Sequence, residues 1–206
     1  GYTWQHSFAN GGVPQQTLEK GAATDETGTT ITFWPDPAIF TETIDFEYAV
    51  LRTRFQQMAF LNKGLRIALR DERPASAYEV EVDGAPVLRQ PADEFLYKRG
   101  LVDYVEYLNK VRKAEVVNDE IIAFDAEDTE RKISLEVAMQ WTTSYTENVF
   151  TYANTINTHE GGTHEEGFRA ALTSLVNRYA RSNNLLMEMD DNLSGDDVRE
   201  GLTAVI

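Results

Sequence analysis

The sequence predicts an α+β protein. The clearest strand pattern covers residues 133–141, where apolar residues alternate with smaller or polar ones over nine positions. Residues 45–63 instead repeat their apolar side chains every three or four positions, which is typical of a helix. The chain has 206 residues, 42% of them hydrophobic, and no cysteine, so a core without disulfides is expected.

The first half contains two predicted strands around one helix. Residues 29–34 alternate with β-branched residues and stop at Pro35, which predicts a strand. The helix over 45–63 has Asp45 available as its cap, a broad apolar face that we expect to be buried, and Gly64 directly after it. Residues 65–70 alternate again and predict a strand with one exposed face.

The second half begins after an irregular stretch. Residues 71–94 contain three prolines and the turn pair Asp83-Gly84, which predicts an exposed hairpin within an insertion or linker. Further elements are expected as helix 101–109, strand 120–125, strand 133–141 with 148–154 as its antiparallel partner, helix 164–181, a helical turn at 196–200 and a terminal strand. The side chains expected to face inward from the long helix are Phe168, Leu172, Leu175 and Tyr179.

Charge and composition exclude several classes of protein. The formal net charge of -15 argues against non-specific nucleic-acid binding by the chain as a whole. It does not exclude a local basic surface. No apolar run approaches the roughly 18 residues of a membrane-spanning helix, and no signal peptide is visible, so a cytoplasmic protein is expected. Because the chain lacks an initial Met and ends in an apolar run, we also expect a fragment of a longer protein.

Two short segments resemble metal sites, and neither fits. His159 and His164 are five residues apart across a Gly pair, whereas a zincin helix needs a spacing of four. Thr163 and Glu166 favour a capping box there. The segment that begins at Asp190 lacks the acidic twelfth residue of a calcium loop, and a Ser-x-x-Asp helix cap at 194–197 explains part of it. No metal site and no complete catalytic site is predicted in this chain.

The basic residues are few, and some lie near one another. Lys110, Arg112 and Lys113 follow one predicted helix, and Arg169, Arg178 and Arg181 belong to another. Because Arg169 and Arg178 are nine residues apart, we expect them on opposite sides of that helix. A solvated helix surface and a phosphate-facing patch are both compatible with this pattern.

Several strings spread over nearly the whole chain resemble the B subunits of bacterial DNA gyrase. They are TGTTITFWP at 27–35, MAFLNKG at 58–64, LRDER at 69–73, EVAMQW at 136–141, NTINTHEGGTHEEGFR at 154–169 and GDDVREGL at 195–202. The B-type subunit of topoisomerase IV shares most of these strings and is the near alternative. Arg99 departs from the family, which commonly has Gly at this position, and residues 74–93 align with nothing in it.

The resemblance implies a division of the chain and a function. Residues 1–73 would be the C-terminal part of a GHKL (Bergerat) ATPase sandwich, 74–93 a variable insertion, and 94–206 most of a transducer domain like domain 2 of ribosomal protein S5. The whole protein would be an ATP-dependent type II DNA topoisomerase that introduces negative supercoils. It would use ATP and Mg²⁺, bind DNA, dimerise through its ATPase domains on ATP binding, and assemble with the gyrase A subunit into an A2B2 complex.

The resemblance also implies site residues. Thr29 and Ile31 match the adenine side of the nucleotide pocket, while the family's general base, magnesium ligand and lid match nothing in this chain, so the fragment is expected to bind no nucleotide tightly. Arg169, in the matching GFR string, is expected to face the cavity that holds captured DNA. A stand-alone interaction module with the transducer fold is the alternative from another class.

Overall fold

A computed structural model describes residues 1–82 and 85–206 of the chain. The described residues form two compact units, Gly1–Asp45 and Phe46–Ile206. None of the helices in these ranges is long and apolar enough to cross a membrane.

The first unit contains two small antiparallel ribbons. Strand β1 (Tyr2–Gln5) pairs with β4 (Glu19–Ala23), and β2 (Phe8–Ala9) pairs with β3 (Val13–Pro14). The strand predicted over 29–34 is wrong, because that stretch pairs with no other described strand. An alternating pattern favours extended backbone, but a strand needs a neighbour for its hydrogen bonds.

Helix α1 (Tyr48–Leu61) begins the second unit and confirms the predicted helix, at a shorter length. The predicted cap by Asp45 is wrong, since the helix starts after Glu47, whose side chain makes no capping hydrogen bond. Gly64 has a φ of 80°, and its N–H donates to the carbonyl of Tyr97 at 2.9 Å.

Two strand pairs follow α1. Strand β5 (Arg66–Arg70) confirms the predicted strand and pairs antiparallel with β8 (Ala92–Leu96). Between them, β6 (Tyr78–Val82) and β7 (Ala85–Arg89) form the predicted hairpin. Its turn pair, Asp83-Gly84, lies outside the described residues.

The remaining elements build one four-stranded sheet with helices on both faces and a separate two-stranded antiparallel ribbon. They are α2 (Leu101–Arg112), β9 (Ile122–Asp128), β10 (Ile133–Trp141), β11 (Asn148–Phe150), β12 (Tyr152–Ala153), β13 (Ile156–Asn157), α3 (Thr163–Ser182), α4 (Gly195–Arg199) and β14 (Leu202–Val205). The sheet order is β11-β14-β10-β9. The predicted antiparallel pairing of 148–154 with β10 is wrong, because β14 lies between them and pairs parallel with β11 and antiparallel with β10.

Each face of this sheet has its own apolar cluster. Ala138 and Val205 pack with α2 through Leu101 and Val105, and Phe60 of α1 joins them. Residues on the opposite face of the same strands pack with α3 and α4; the buried members are Met139, Leu172, Val198, Leu202 and Ala204. Alternation along β10 and β14 thus supplies both clusters.

The apolar face predicted for α1 is only partly buried. Ala59 and Phe60 are buried, whereas Val50 is 60% exposed. Phe60 stacks on Tyr97 and Tyr104 with ring centroids 3.6 and 4.6 Å apart.

A polar cluster also fastens α1 to the rest of its unit. The Gln57 amide donates to the hydroxyl of Tyr152 at 2.7 Å, and the hydroxyls of Tyr104 and Tyr152 are 3.0 Å apart. Burial, aided by the Tyr104 hydroxyl, raises the pKa of Tyr152 above its ordinary value. Tyr152 therefore stays neutral, and the hydrogen bonds of the cluster hold α1 against α2 and β12.

The inward face predicted for α3 is half right. Leu172 is buried and Phe168 packs against its cluster, but Leu175 and Tyr179 are 52% and 62% exposed. Ala180 is buried instead. The helix carries more apolar side chains than its contact with the sheet can cover.

Candidate functional site

The long helix α3 starts at a glycine turn. Gly161 has a φ of 76°, and Gly162 is the residue before the first helical turn. The capping box predicted for Thr163 and Glu166 is wrong, because Thr163 already lies inside the helix and no side chain caps its start. Glu165 and Glu166 lie in the first turn, where their negative charge interacts favourably with the helix dipole.

The short helix α4 is fixed by a capping box, as predicted. The Ser194 hydroxyl accepts from the Asp197 N–H at 3.1 Å, and the Asp197 carboxylate accepts from the Ser194 N–H at 2.8 Å. These hydrogen bonds, that of the Ser194 side chain first, lower the pKa of Asp197. The box places Arg199, which is only 8% exposed, beside α3.

A groove with a volume of about 810 Å³ lies between α3 and the segment 192–199. Its lining contains four arginines and one carboxylate: Arg169, Arg178, Arg181, Arg199 and Glu166. Arg169 and Arg178, which are expected on opposite sides of the helix, both line this groove. Nine residues turn an α-helix through about half a circle. The residues of α3 that line the groove extend over a similar arc of the helix surface, and arginine side chains are long.

An ion-pair network connects three segments at one side of the groove. Arg169 lies 2.8 Å from Glu165 on its own helix and 3.1 Å from Glu147, which precedes β11. Arg199 lies 3.2 Å from the same Glu147 oxygen and 3.1 Å from Asp196. One carboxylate is therefore shared by two guanidinium groups, of which Arg199 is the more buried, with 10% of its side chain exposed against 36% for Arg169.

The other two groove arginines differ in how they are held. Arg181 donates to Asn192 Oδ1 and to the carbonyls of Met187 and Asp190, all within 3.0 Å, and so ties down the loop after α3. The side chain of Arg178 is exposed and has no hydrogen bond or ion pair with any residue in the described ranges.

Sequence reasoning missed Arg199 and Glu147. Arg199 sits in a five-residue helix and Glu147 in a turn, and neither segment has a periodicity that would join them to α3. The capping box, which orients α4, was the sequence signal for Arg199, and Glu147 had none.

The two residues assigned to the adenine pocket lie in the first compact unit. Thr29 and Ile31 are both exposed, Ile31 at 80%, within the stretch that forms no strand. Within residues 1–82 and 85–206, no group of three His, Cys, Asp or Glu side chains is placed to hold a metal ion.

Comparison with known proteins adds sequence relatives over the whole chain. The chain is 58% identical to the DNA gyrase B protein of Micrococcus luteus and 54% identical to that of Streptomyces coelicolor. Each alignment covers 100% of this chain, and the chain spans 32% and 30% of these relatives.

Solved structures show the same fold. The 43K ATPase domain of Thermus thermophilus gyrase B, determined with an aminocoumarin, matches 94% of this chain and 48% of its own length with a TM-score of 0.74 at 29% identity. The gyrase B protein of Myxococcus xanthus matches 99% of this chain and 52% of its own length with a TM-score of 0.68 at 22% identity, which supports the fold alone.

The predicted α+β class with its GHKL and transducer elements is confirmed by these matches. The family model of DNA gyrase B matches residues 100–206, which include α2, the four-stranded sheet and the arginine-lined groove. The chain belongs to the DNA gyrase B family.

Proposed function

We propose that this chain is part of the ATP-hydrolysing component of a DNA gyrase, a type II topoisomerase that couples ATP binding and dimer closure to DNA strand passage and negative supercoiling. The observation that carries the proposal is the 58% identity over the whole chain to gyrase B of Micrococcus luteus. The complete protein would use ATP and Mg²⁺, bind DNA and the gyrase A subunit, and act in the cytoplasm.

The proposed division assigns 1–73 to the ATPase domain, 74–93 to an insertion and 94–206 to the transducer. The pairing of β5 with β8 supports an insertion, because the chain leaves the end of β5 and returns at β8 directly beside it. Between them, β6 and β7 pair with each other. Helix α1, from the ATPase side of this division, packs on α2 from the transducer side. Closure of the ATPase domains would pass to the transducer through this contact.

In this proposal Thr29 and Ile31 line the adenine end of the nucleotide pocket. Their exposure leaves a hydroxyl and an apolar side chain available to a ligand. Thr29→Val in the complete protein should weaken ATP binding by about 0.5–1.5 kcal/mol, the range for one hydrogen bond. Thr30→Val is the matched control, and equal nucleotide dissociation constants for the two variants would remove Thr29 from the pocket.

Arg169 would face the captured DNA segment. Arg169→Ala in the complete protein should leave nucleotide binding intact and reduce the stimulation of ATPase activity by DNA. Its ion pairs with Glu165 and Glu147 give a structural alternative. Unchanged DNA stimulation in the variant would assign Arg169 to that structural role alone.

The decisive experiment purifies the complete protein, combines it with its A-type partner, and supplies relaxed plasmid and ATP. Negative supercoiling that requires ATP supports the proposal. Decatenation without supercoiling would point to the B-type component of a topoisomerase IV. A folded protein with neither activity would favour an interaction module without catalysis.

A further inference from the structure

A cleft separate from the arginine-lined groove lies between α2 and the segment 114–121, with a volume of about 550 Å³. Asn109 of α2 and Gln140 of β10 line this α2 cleft, and each is only 4% exposed. Its apolar lining consists of Val102, Ala114, Val116 and Ile121. An apolar lining with a few buried polar groups is the usual form of a small-molecule site.

Asn109 Oδ1 is the end of a chain of amide hydrogen bonds. The carbonyl of Asn118 can only accept, and the Gln140 amide nitrogen donates to it at 2.8 Å. Gln140 Oε1 is therefore turned toward Asn109, whose Nδ2 donates to it at 2.8 Å. This fixes the orientation of both amides and leaves the buried Asn109 Oδ1 without a donor among the described residues. Because buried acceptors are almost always paired, a ligand in the α2 cleft should bring an N–H or O–H group.

The charges of the lining favour a cationic donor. The carboxylates of Asp119 and Glu120 are exposed and form no ion pair within the described part of the chain. Arg99 is already paired with Asp103 at 2.7 Å and with a second carboxylate of α2. Lys110 is the remaining cation among the described lining residues. The unpaired charges at the α2 cleft are thus two negative and one positive.

We propose that the α2 cleft is a binding site for a primary alkylammonium group. An N–H of the group would donate to Asn109 Oδ1, its charge would pair with Asp119 and Glu120, and its alkyl chain would pack on the apolar lining. A free small amine and the lysine side chain of another protein both carry this group. None of these three residues is assigned to nucleotide or DNA in the proposed function.

The test titrates the 206-residue chain with n-butylammonium at neutral pH and follows side-chain amide signals by NMR. The Asn109 and Gln140 amide signals should shift saturably, because a new hydrogen bond at one end of a chain polarises the next bond. Butyltrimethylammonium keeps the charge but has no N–H, and 1-butanol keeps a donor but has no charge. Each should bind about 3-fold or more weakly, as expected for the loss of one hydrogen bond or one ion pair.

Substitutions of exposed residues test the charges without disturbing the core. Asp119→Asn and Glu120→Gln should each weaken n-butylammonium binding about 2- to 5-fold, the range for one exposed ion pair. Lys110→Gln should strengthen binding, because it removes a charge of the same sign as the ligand. Glu127→Gln is the matched control, since it removes a carboxylate from an exposed position of β9 outside the lining, and its affinity should equal that of the unmodified chain.

Nα-acetyl-L-lysine N-methylamide presents the same ammonium group on a peptide backbone. Tighter binding of this probe than of n-butylammonium would identify a lysine side chain as the source, and the reverse order would identify a free amine.

The absence of a saturable shift at Asn109 and Gln140 would overturn the proposal. Equal affinities for n-butylammonium and butyltrimethylammonium would overturn it as well, because Asn109 Oδ1 would then accept nothing from the ligand. Equal affinities of the Asp119, Glu120 and Glu127 variants would do the same for the assigned charges. These measurements need no nucleotide, DNA or partner protein, so their outcome is independent of the supercoiling assay.

Discussion

Gly201, which connects α4 to β14, should be the least replaceable glycine among those described. Its φ is 74°, a conformation that residues with a Cβ rarely adopt. A Cβ at this position would lie 2.2 Å from the carbonyl oxygen of Thr142 and 2.7 Å from that of Ser144. The Gly201 carbonyl also accepts the Thr142 N–H at 2.9 Å and the Thr142 hydroxyl at 3.0 Å, so the backbone cannot move aside without weakening these bonds.

The cost of Gly201→Ala can be separated into two parts. The unfavourable φ costs about 1 kcal/mol, and displacement of a packed backbone with its hydrogen bonds adds about 2–3 kcal/mol. Gly64 has a φ of 80° and nothing within 4 Å of its Cβ position, so Gly64→Ala should show the first part alone. Gly167, inside α3 and equally open but without a positive φ, should stabilise the protein by up to about 1 kcal/mol when changed to Ala.

Urea denaturation followed by circular dichroism measures all three variants. The free energy of unfolding should rise for Gly167→Ala, fall slightly for Gly64→Ala, and fall by about 3–4 kcal/mol for Gly201→Ala, which corresponds to a lowering of Tm by roughly 6–16 °C for a chain of this size. Equal losses for Gly64→Ala and Gly201→Ala would refute the argument, because the clash with Thr142 would then contribute nothing.

Three further substitutions test other parts of the fold by urea denaturation. Phe60→Ala should cost about 3–5 kcal/mol, because it empties a site that is 1% exposed; a loss below about 1 kcal/mol would show that the neighbouring rings collapse into the space. Tyr48→Phe should cost about 1 kcal/mol at neutral pH by removing its 2.7 Å hydrogen bond to Asp93. The hydrogen bond from Tyr48 is the main cause that lowers the pKa of Asp93, and the contact with Arg52 is a smaller one. The stabilisation is therefore present above the ordinary carboxyl pKa of about 3.9 and is lost as the pH falls through the lowered value. A loss of stability in Tyr48→Phe that persists below that lowered pKa would contradict this. Ser194→Ala should cost about 1 kcal/mol through loss of the capping box, and a neutral effect would mean that α4 is held by packing alone.

Local patterns predicted the elements of the second compact unit well and their neighbours less well. The alternation over 133–141 is present in the structure as β10 at the predicted bounds. The strand predicted to pair with β10 was wrong, because β14, the last strand in the sequence, lies between β10 and β11. Period and composition determine whether a segment is extended, but strand order depends on contacts far apart in sequence.

The same limit applies to the groove. The predicted helix placed Arg169 and Arg178 on one element, and the Ser-x-x-Asp cap was predicted correctly. No sequence period relates Glu147 to α3 or to α4. The contact of Glu147 with Arg169 and Arg199 therefore could not be predicted. The role of Thr29, by contrast, was inferred only from family resemblance and stays a prediction.

The central position of β14 has a consequence for synthesis on the ribosome. Residues 202–205 leave the exit tunnel after every other strand of the sheet, yet they form its second strand and are fully buried. Until then the adjoining edges of β10 and β11 have no partner, and the apolar faces around them are open to other chains. We therefore expect nascent chains that stop short of residue 202 to bind chaperones strongly, and completion of this strand to be the event that releases them.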